Sequence, residues 1–306
     1  EKNYKKLFHQ AKKLNVKNLI ITNKNAYSSL LKFNRSKKIK IFNDFKYVKK
    51  IISSKIDYCM CAISGLAGLK PTYEMIKFSK TLAIANKESI ICGWNLIEKE
   101  IKKNKTKFIP VDSEHFSIWF GLKTFKNSKI SSIYLTASGG PLINTPLKNF
   151  KNIKISQALK HPNWKMGKKI SIDSATMANK ALEIIEAKYI FGLNDNQIDA
   201  IIHPQAIIHA MVNYKNGVTT ALLNEPDMRI PISTLFFKFN PYSDKNRILN
   251  ILEHSKLEFK EIDHIRFPAI KLGREVMKMG GLAPNAFNYL NEILVNHFIN
   301  GSIKFE

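Results

Sequence analysis

Short β-branched and apolar runs alternate with helical patterns through the first third of the chain, and no other feature of the sequence constrains its fold as strongly. Parallel strands cannot be joined by a tight turn, so each needs a crossover, usually a helix. Residues 18–22, 39–42, 56–64, 81–86 and 107–112 read as strands, with helical periodicity over 4–14, 26–33, 45–52, 69–78 and 88–102. The expected architecture is a doubly wound, Rossmann-like α/β domain over 1–111, binding its ligand beside the carboxyl ends of its strands.

From residue 130 the texture shifts to longer loops rich in Gly, Pro and Ser. Strand patterns at 130–136, 198–203 and 218–223 around a helix at 175–191 predict an α+β second domain over 112–239. Residues 240–246 (NPYSDKN) open a linker assigned to 240–262, and helical patterns at 267–279 and 284–298 begin a C-terminal helical unit over 263–306.

Lysine plus arginine number 49 against 24 acidic residues, a formal charge of +25 that raises nucleic acid as a partner. The residue type argues against it. Only five are arginine (Arg35, Arg229, Arg247, Arg266 and Arg274), leaving 44 lysines, whereas base reading and phosphate forks favour the planar guanidinium. Three cysteines, Cys59, Cys61 and Cys92, make no CxxC pair, so neither a disulfide framework nor a structural zinc site is expected, and a reducing compartment is. No apolar run approaches the roughly 18–20 residues that span a bilayer, and the start lacks a signal peptide's apolar segment, so a soluble chain without a membrane partner is expected.

Five clusters carry side chains suited to chemistry. Residues 110–115 (PVDSEH) end an apolar strand; in an extended backbone Asp112 and Glu114 project to one side, as two hard oxygen ligands that suit Mg²⁺ or Mn²⁺ better than zinc. Capping of a following helix by one carboxylate accounts for the same residues equally well. Asp173-Ser174-Ala175-Thr176 leads into a helix that Ser174 or Thr176 can cap, and free N–H groups at such a start accept an anion. Asn179 and Glu183 share a face, with Lys180 about 100° round from Asn179. This grouping suits a charged small molecule, or else a solvated helix with an internal Lys180 to Glu183 pair.

Ser138-Gly139-Gly140-Pro141 follows an apolar strand and is either a phosphate-facing turn or simply a turn. Residues 161–167 (HPNWKMG) show no regular pattern and suit a lid, set at 155–170, or packing on a neighbouring domain. Residues 85–89 (ANKES) end a strand beside the expected crevice, with helix capping by Asn86 as the alternative. The chain has no G-x-G-x-x-G, Walker or G-x-S-x-G motif; Gly65-Leu66-Ala67-Gly68 is too short for the first two.

In order and wording these segments, with 171–183 (SIDSATMANKALE) and 203–209 (HPQAIIH), resemble the 1-deoxy-D-xylulose 5-phosphate reductoisomerase family. Its members rearrange 1-deoxy-D-xylulose 5-phosphate and reduce the product with NADPH to 2-C-methyl-D-erythritol 4-phosphate, in non-mevalonate isoprenoid synthesis. The resemblance implies that Asp112, Glu114 and Glu183 hold Mg²⁺ or Mn²⁺, and that Ser138, Ser174, Asn179 and Lys180 grip the substrate phosphate. It implies that Lys87, Ser113 and His161 contact the rest of the sugar with His209 nearby, and that Asn86, Glu88 and Gly167 touch NADPH. Trp164 and Met166 would belong to the lid and reach the substrate, and Lys87, Glu114, His161, Glu183 and His209 are the catalytic candidates.

The resemblance further implies a homodimer of three-domain chains: an NADPH-binding domain at 1–111, a catalytic domain at 112–239 and a helical domain from 263. A first strand and Gly-rich turn are expected ahead of Glu1 and more helical domain past Glu306, in a bacterial cytoplasm or a plastid stroma. Leu142 stands where an aromatic usually follows SGGP, and Tyr289 and Leu290 depart from a pattern that Asn291 and Glu292 keep. The competing readings are a metal-dependent sugar-phosphate aldolase or isomerase that reduces nothing, and a nucleic-acid-binding protein.

Overall fold

The computed structural model describes residues 3–35, 37–125, 129–162, 164, 166–236 and 248–306. Helix α1 (Tyr4–Lys13), β1 (Asn18–Ile20), α2 (Lys24–Phe33) and β2 (Lys40–Phe42) place two short strands side by side in parallel. After α3 (Val48–Ile51), the units β3 (Ile56–Cys61), α4 (Leu69–Ile76), β4 (Ser79–Ile84), α5 (Lys87–Asn104) and β5 (Lys107–Pro110) form a second parallel sheet in the order β3-β4-β5. The centre of β4 is dry because both faces are covered: Leu82 and Ile84 pack with Ile76 of α4 and Ile90 of α5, while Ala83 belongs to a cluster with Phe116 and Leu235.

Past β5 come α6 (Ser113–Thr124), β6 (Ile130–Ala137), α7 (Ile155–Ala158), α8 (Lys168–Ala175) and α9 (Ala178–Phe191). They are followed by β7 (Ile198–Ile202), β8 (Ile208–Tyr214), β9 (Thr219–Leu223) and α10 (Arg229–Phe236). The four strands make a mixed sheet, β7-β6-β8-β9, in which only the β6–β7 pair is parallel. This is the expected α+β texture with one strand more than the sequence pattern showed, because His209 interrupts the apolar run that becomes β8. The helix expected at 175–191 is α9, which starts at Ala178 because Met177 takes a left-handed φ of 61° and separates it from α8, ending at Ala175.

Ala181, Leu182, Ile184 and Ile185 of α9 are fully buried and share a core with Ile133 and Leu135 of β6. Helix α11 (Pro268–Met279) joins that core through Ile270 and Met277, and α12 (Ala283–Ile299) through Phe287. Gly273 lets α11 press on α9: a Cβ there would stand 2.6 Å from Ala181 Cβ. Residues 240–247 of the expected linker lie outside the described residues; further along it, Lys260 pairs with Ile202 at the edge of β7.

Candidate active site

Strand β4 ends at Ile84, and Asn86 then closes the start of α5: its side chain accepts the Ser89 N–H at 2.6 Å and donates to the carbonyls of Ile63 and Gly65. Helix capping, one of the two readings of Asn86, is therefore what the side chain does. Lys87, the first residue of α5, is turned by this cap into a pocket of about 630 Å³.

The two carboxylates after β5 are not carried by extended backbone. Asp112 stands at the cap position of α6, where its side chain makes no capping bond, and Glu114 lies in the first turn, so the helix start and not a period of two brings them together. Glu183 arrives from one turn inside α9, and the ligand oxygens of Asp112, Glu114 and Glu183 lie within 4.8 Å of one another. Lys87 Nζ sits 2.9 Å from Asp112 and 3.1 Å from Glu183, and donates to Asn179 Oδ1 at 2.8 Å. Lys180 Nζ lies 2.8 Å from Glu114 and also pairs with Glu183, while Asn179 donates to Glu183. Lys180 is 4% exposed and Glu183 1%, so the solvated-helix alternative is overturned.

The charges decide what the cluster can hold. Burial opposes the ammonium of Lys87, but Asp112 and Glu183 outweigh it and keep its pKa well above the ordinary value. Burial also opposes ionised Asp112, yet Lys87 holds that carboxyl well below the usual range. Glu114 goes the other way: burial, then the charge of Glu183, push it up to about 8. Three carboxylates against two ammonium groups leave Glu114 short of positive charge. Hard oxygen donors at this spacing with a charge deficit fit a divalent cation of the Mg²⁺ or Mn²⁺ kind.

The opposite wall is a binding surface. Gly139 and Gly140 adopt positive φ, and a Cβ on Gly140 would stand 2.6 Å from the Ser174 carbonyl, so the turn packs against the end of α8 and sets Ser138 and Ser174 on one wall. Thr176 Oγ1 accepts the Ala178 N–H at 3.3 Å, as one of the two expected caps, and Ser174 lines the pocket instead. His161 Nδ1 accepts the Trp164 N–H at 3.0 Å, so a neutral ring keeps its proton on Nε2, 3.2 Å from Ser138 Oγ. Burial lowers the pKa of His161, and that of His209 to about 4 with Lys180 adding to the effect. Trp164 leans on His209, with ring centroids 6.0 Å apart.

Of the expected site residues, Lys87, Asp112, Ser113, Glu114, Ser138 and His161 line this pocket, as do Trp164, Met166, Ser174, Asn179, Lys180, Glu183 and His209. Asn86, Glu88 and Gly167, the expected NADPH contacts, do not; Glu88 lies 3.8 Å from Lys169 instead. The sequence reading missed Pro226, Asp227, Met228 and Arg229, which line the pocket from the turn after β9. A polar turn directly after an apolar strand, the rule that marked residues 85–89, was the available signal. Met177 and Ala206, two of the five non-glycine residues with positive φ among those described, also line it.

A cleft whose floor is acidic and lysine-bridged, at the ends of parallel strands, is the layout of an enzyme acting on a small polar substrate. Comparison with known proteins narrows this. Family models described as 1-deoxy-D-xylulose 5-phosphate reductoisomerase match residues 1–93, 108–191 and 223–306, the latter two as its C-terminal domains. The reductoisomerase of Pelagibacter ubique (strain HTCC1062) is 51% identical over 99% of this chain and 79% of its own length. That of Wolbachia pipientis wMel is 43% identical over 99% and 78%. The solved structure of the Zymomonas mobilis enzyme in complex with NADPH superposes with a TM-score of 0.89 at 34% identity, covering all of this chain and 79% of that one. A DOX-P reductoisomerase in complex with NADPH, fosmidomycin and magnesium gives 0.90 at 32%, over 99% and 77%. The chain belongs to the 1-deoxy-D-xylulose 5-phosphate reductoisomerase family.

Proposed function

We propose that this site converts 1-deoxy-D-xylulose 5-phosphate to 2-C-methyl-D-erythritol 4-phosphate with NADPH and a divalent cation. The observation that carries the reading is the convergence of Asp112, Glu114 and Glu183 at the floor of a pocket walled by Ser138 and Ser174. Those three carboxylates would hold Mg²⁺ or Mn²⁺. When bound, the cation supplies stabilisation of negative charge on the substrate's oxygens, and NADPH supplies the hydride.

The chain's own groups do the rest. Ser138, Ser174, Asn179 and Lys180 take the phosphate; with the carboxylates otherwise balanced, Lys180 and Asn179 are released from Glu114 and Glu183 to reach it. Lys87 brings a permanent ammonium to the reacting oxygens, and Ser113 and neutral His161 orient the sugar. Neutral His209 and Trp164 form a dry wall that Met166 extends. Closure of 155–170 over the phosphate would exclude water before hydride transfer, with remote binding energy driving it.

We assign Asn86, Glu88 and Gly167, which do not line the pocket, to the NADPH edge. Residues 1–111, 112–239 and 263–306 serve as cofactor, catalytic and helical domains, joined by 240–262. The relatives named above are bacterial, which fits a bacterial cytoplasm, and the assembly we propose is a homodimer; no helix among the described residues is long and apolar enough to cross a membrane. The test is direct: the protein with substrate, Mn²⁺ and NADPH should show substrate-dependent loss of the reduced cofactor's absorbance. Product formation without nicotinamide, or no oxidation at all, would overturn the proposal.

A further inference from the structure

Behind the three carboxylates, on the side away from the pocket, lies a polar pair that the chemistry above does not use. His115 has no exposed surface and Glu186 is 2% exposed. The His115 Nε2 stands 3.0 Å from the backbone oxygen of Glu183; a carbonyl only accepts, so Nε2 carries a proton and donates it. The other ring nitrogen, Nδ1, faces Glu186 Oε2 at 3.5 Å and Asp112 Oδ1 at 4.0 Å. Neither Nδ1 nor Glu186 Oε2 has a hydrogen-bond partner among the described residues, so each is the other's nearest answer. The ring also lies nearly flat against Phe191, with centroids 6.2 Å apart and planes at 24°, which limits its tilt.

We propose that Glu186 is a positioning residue, which fixes the His115 ring and through it the backbone of Glu183 and the carboxylate of Asp112. Glu186 sits three residues after Glu183 on α9, and His115 three after Asp112 at the start of α6, so one imidazole ties the two helices that deliver the acidic groups. Oxygen ligands serve a cation only when held at fixed spacing, and groups behind the ligands do that holding. The inference rests on reading Asp112, Glu114 and Glu183 as cation ligands.

Mn²⁺ titrated into the protein and followed by electron paramagnetic resonance tests it, with circular dichroism as the check on folding. Glu186→Leu should weaken Mn²⁺ binding by about 10- to 100-fold, and raise the Mn²⁺ needed for activity in step, with substrate KM at saturating Mn²⁺ unchanged. Glu186→Gln, whose amide can give or take a hydrogen bond, should keep most of the affinity. Wild-type Mn²⁺ affinity in E186L overturns the inference alone, as does E186Q binding no better than E186L. Absence of Mn²⁺ binding by the unaltered protein overturns the reading of the ligands and this inference with it. Should E186L fail to fold, Glu186→Asp, which withdraws the carboxyl from the ring by one methylene, takes its place with the same expected loss.

Discussion

Two helix starts meet in this pocket and each contributes a lysine, yet they are built differently. Helix α5 opens on Asn86, whose side chain takes an N–H of the first turn and holds two carbonyls of the preceding loop besides. Helix α9 opens on Met177, which has no acceptor to offer and reaches its place only by a left-handed turn. The first start is closed and rigid, and its lysine can do little but stand among the acids. The second has its first N–H, from Ala178, taken by Thr176 Oγ1, but no side chain at the cap position itself accepts those of its first turn, beside Ser174 at the end of α8. A closed start suits a fixed charge near the chemistry, and an open one suits an incoming anion.

The sharpest way to break this comparison is to remove what both lysines share. Glu183→Gln keeps the shape of α9 and removes the charge that pairs with Lys87 and Lys180. We expect kcat/KM to fall by about 10²–10³-fold, the scale of losing one charge-stabilising group, with the thermal transition retained. Turnover at the unaltered rate would refute the ligand assignment. The two lysines should then part company. Lys180→Met should raise substrate KM by about 10- to 100-fold, since a hydrogen bond to a charged group contributes about 1.5–3 kcal/mol. Lys87→Met should act mainly on kcat. The reverse split would show that the closed and open starts do not divide the labour in this way.

The same division explains what could be read beforehand. Residues 85–89 and Asn179 to Glu183 obey local rules, a cap at a strand end and a four-residue helical spacing, so both clusters were visible in the chain. The break at Met177 was not, because methionine has no preference for left-handed backbone and only packing holds it there. Strand β8 was hidden by His209, which is a polar interruption in sequence and a pocket wall in space. His115 and Glu186 are far apart in the chain and bury only because they find each other, a pairing no periodicity can announce. That Asp112 and Glu114 stand together was anticipated, but from the wrong backbone: a helix start, not a strand, carries them.

A smaller effect comes from pH. Glu114 sits near 8 where an ordinary glutamate sits at 4.5, so between those values the folded chain keeps a proton that the unfolded chain gives up. Stability without added metal should therefore fall as pH rises through that window. His209, lowered from 6.5 to about 4, acts in the opposite sense, but only below 6.5. Above pH 6.5 Glu114 acts together with Glu186, whose carboxyl burial also pushes well above its ordinary value, and each proton over the span to pH 8 amounts to at most about 2 kcal/mol. Denaturation at both ends, with and without Mn²⁺, checks it. The slope should flatten when Mn²⁺ is present, because a cation favours the ionised carboxylate. A slope that Mn²⁺ leaves untouched would place the cation away from Glu114.

The closed start itself offers the finest test. Asn86→Ala removes the acceptor for the Ser89 N–H and both donors to the loop, and should cost about 1–2 kcal/mol in denaturant unfolding. Asn86→Asp restores the acceptor but not the donors, leaving the carbonyls of Ile63 and Gly65 facing a carboxylate, so it should recover only part of that loss. The loop has little room to adjust, since a Cβ on Gly68 would already stand 2.8 Å from Asn86 Nδ2. Mn²⁺ binding should survive in both variants, because the carboxylates come from α6 and α9 and not from α5. If Asn86→Ala abolished Mn²⁺ binding, the cap would be part of the cation site, and the two helix starts would no longer be separable.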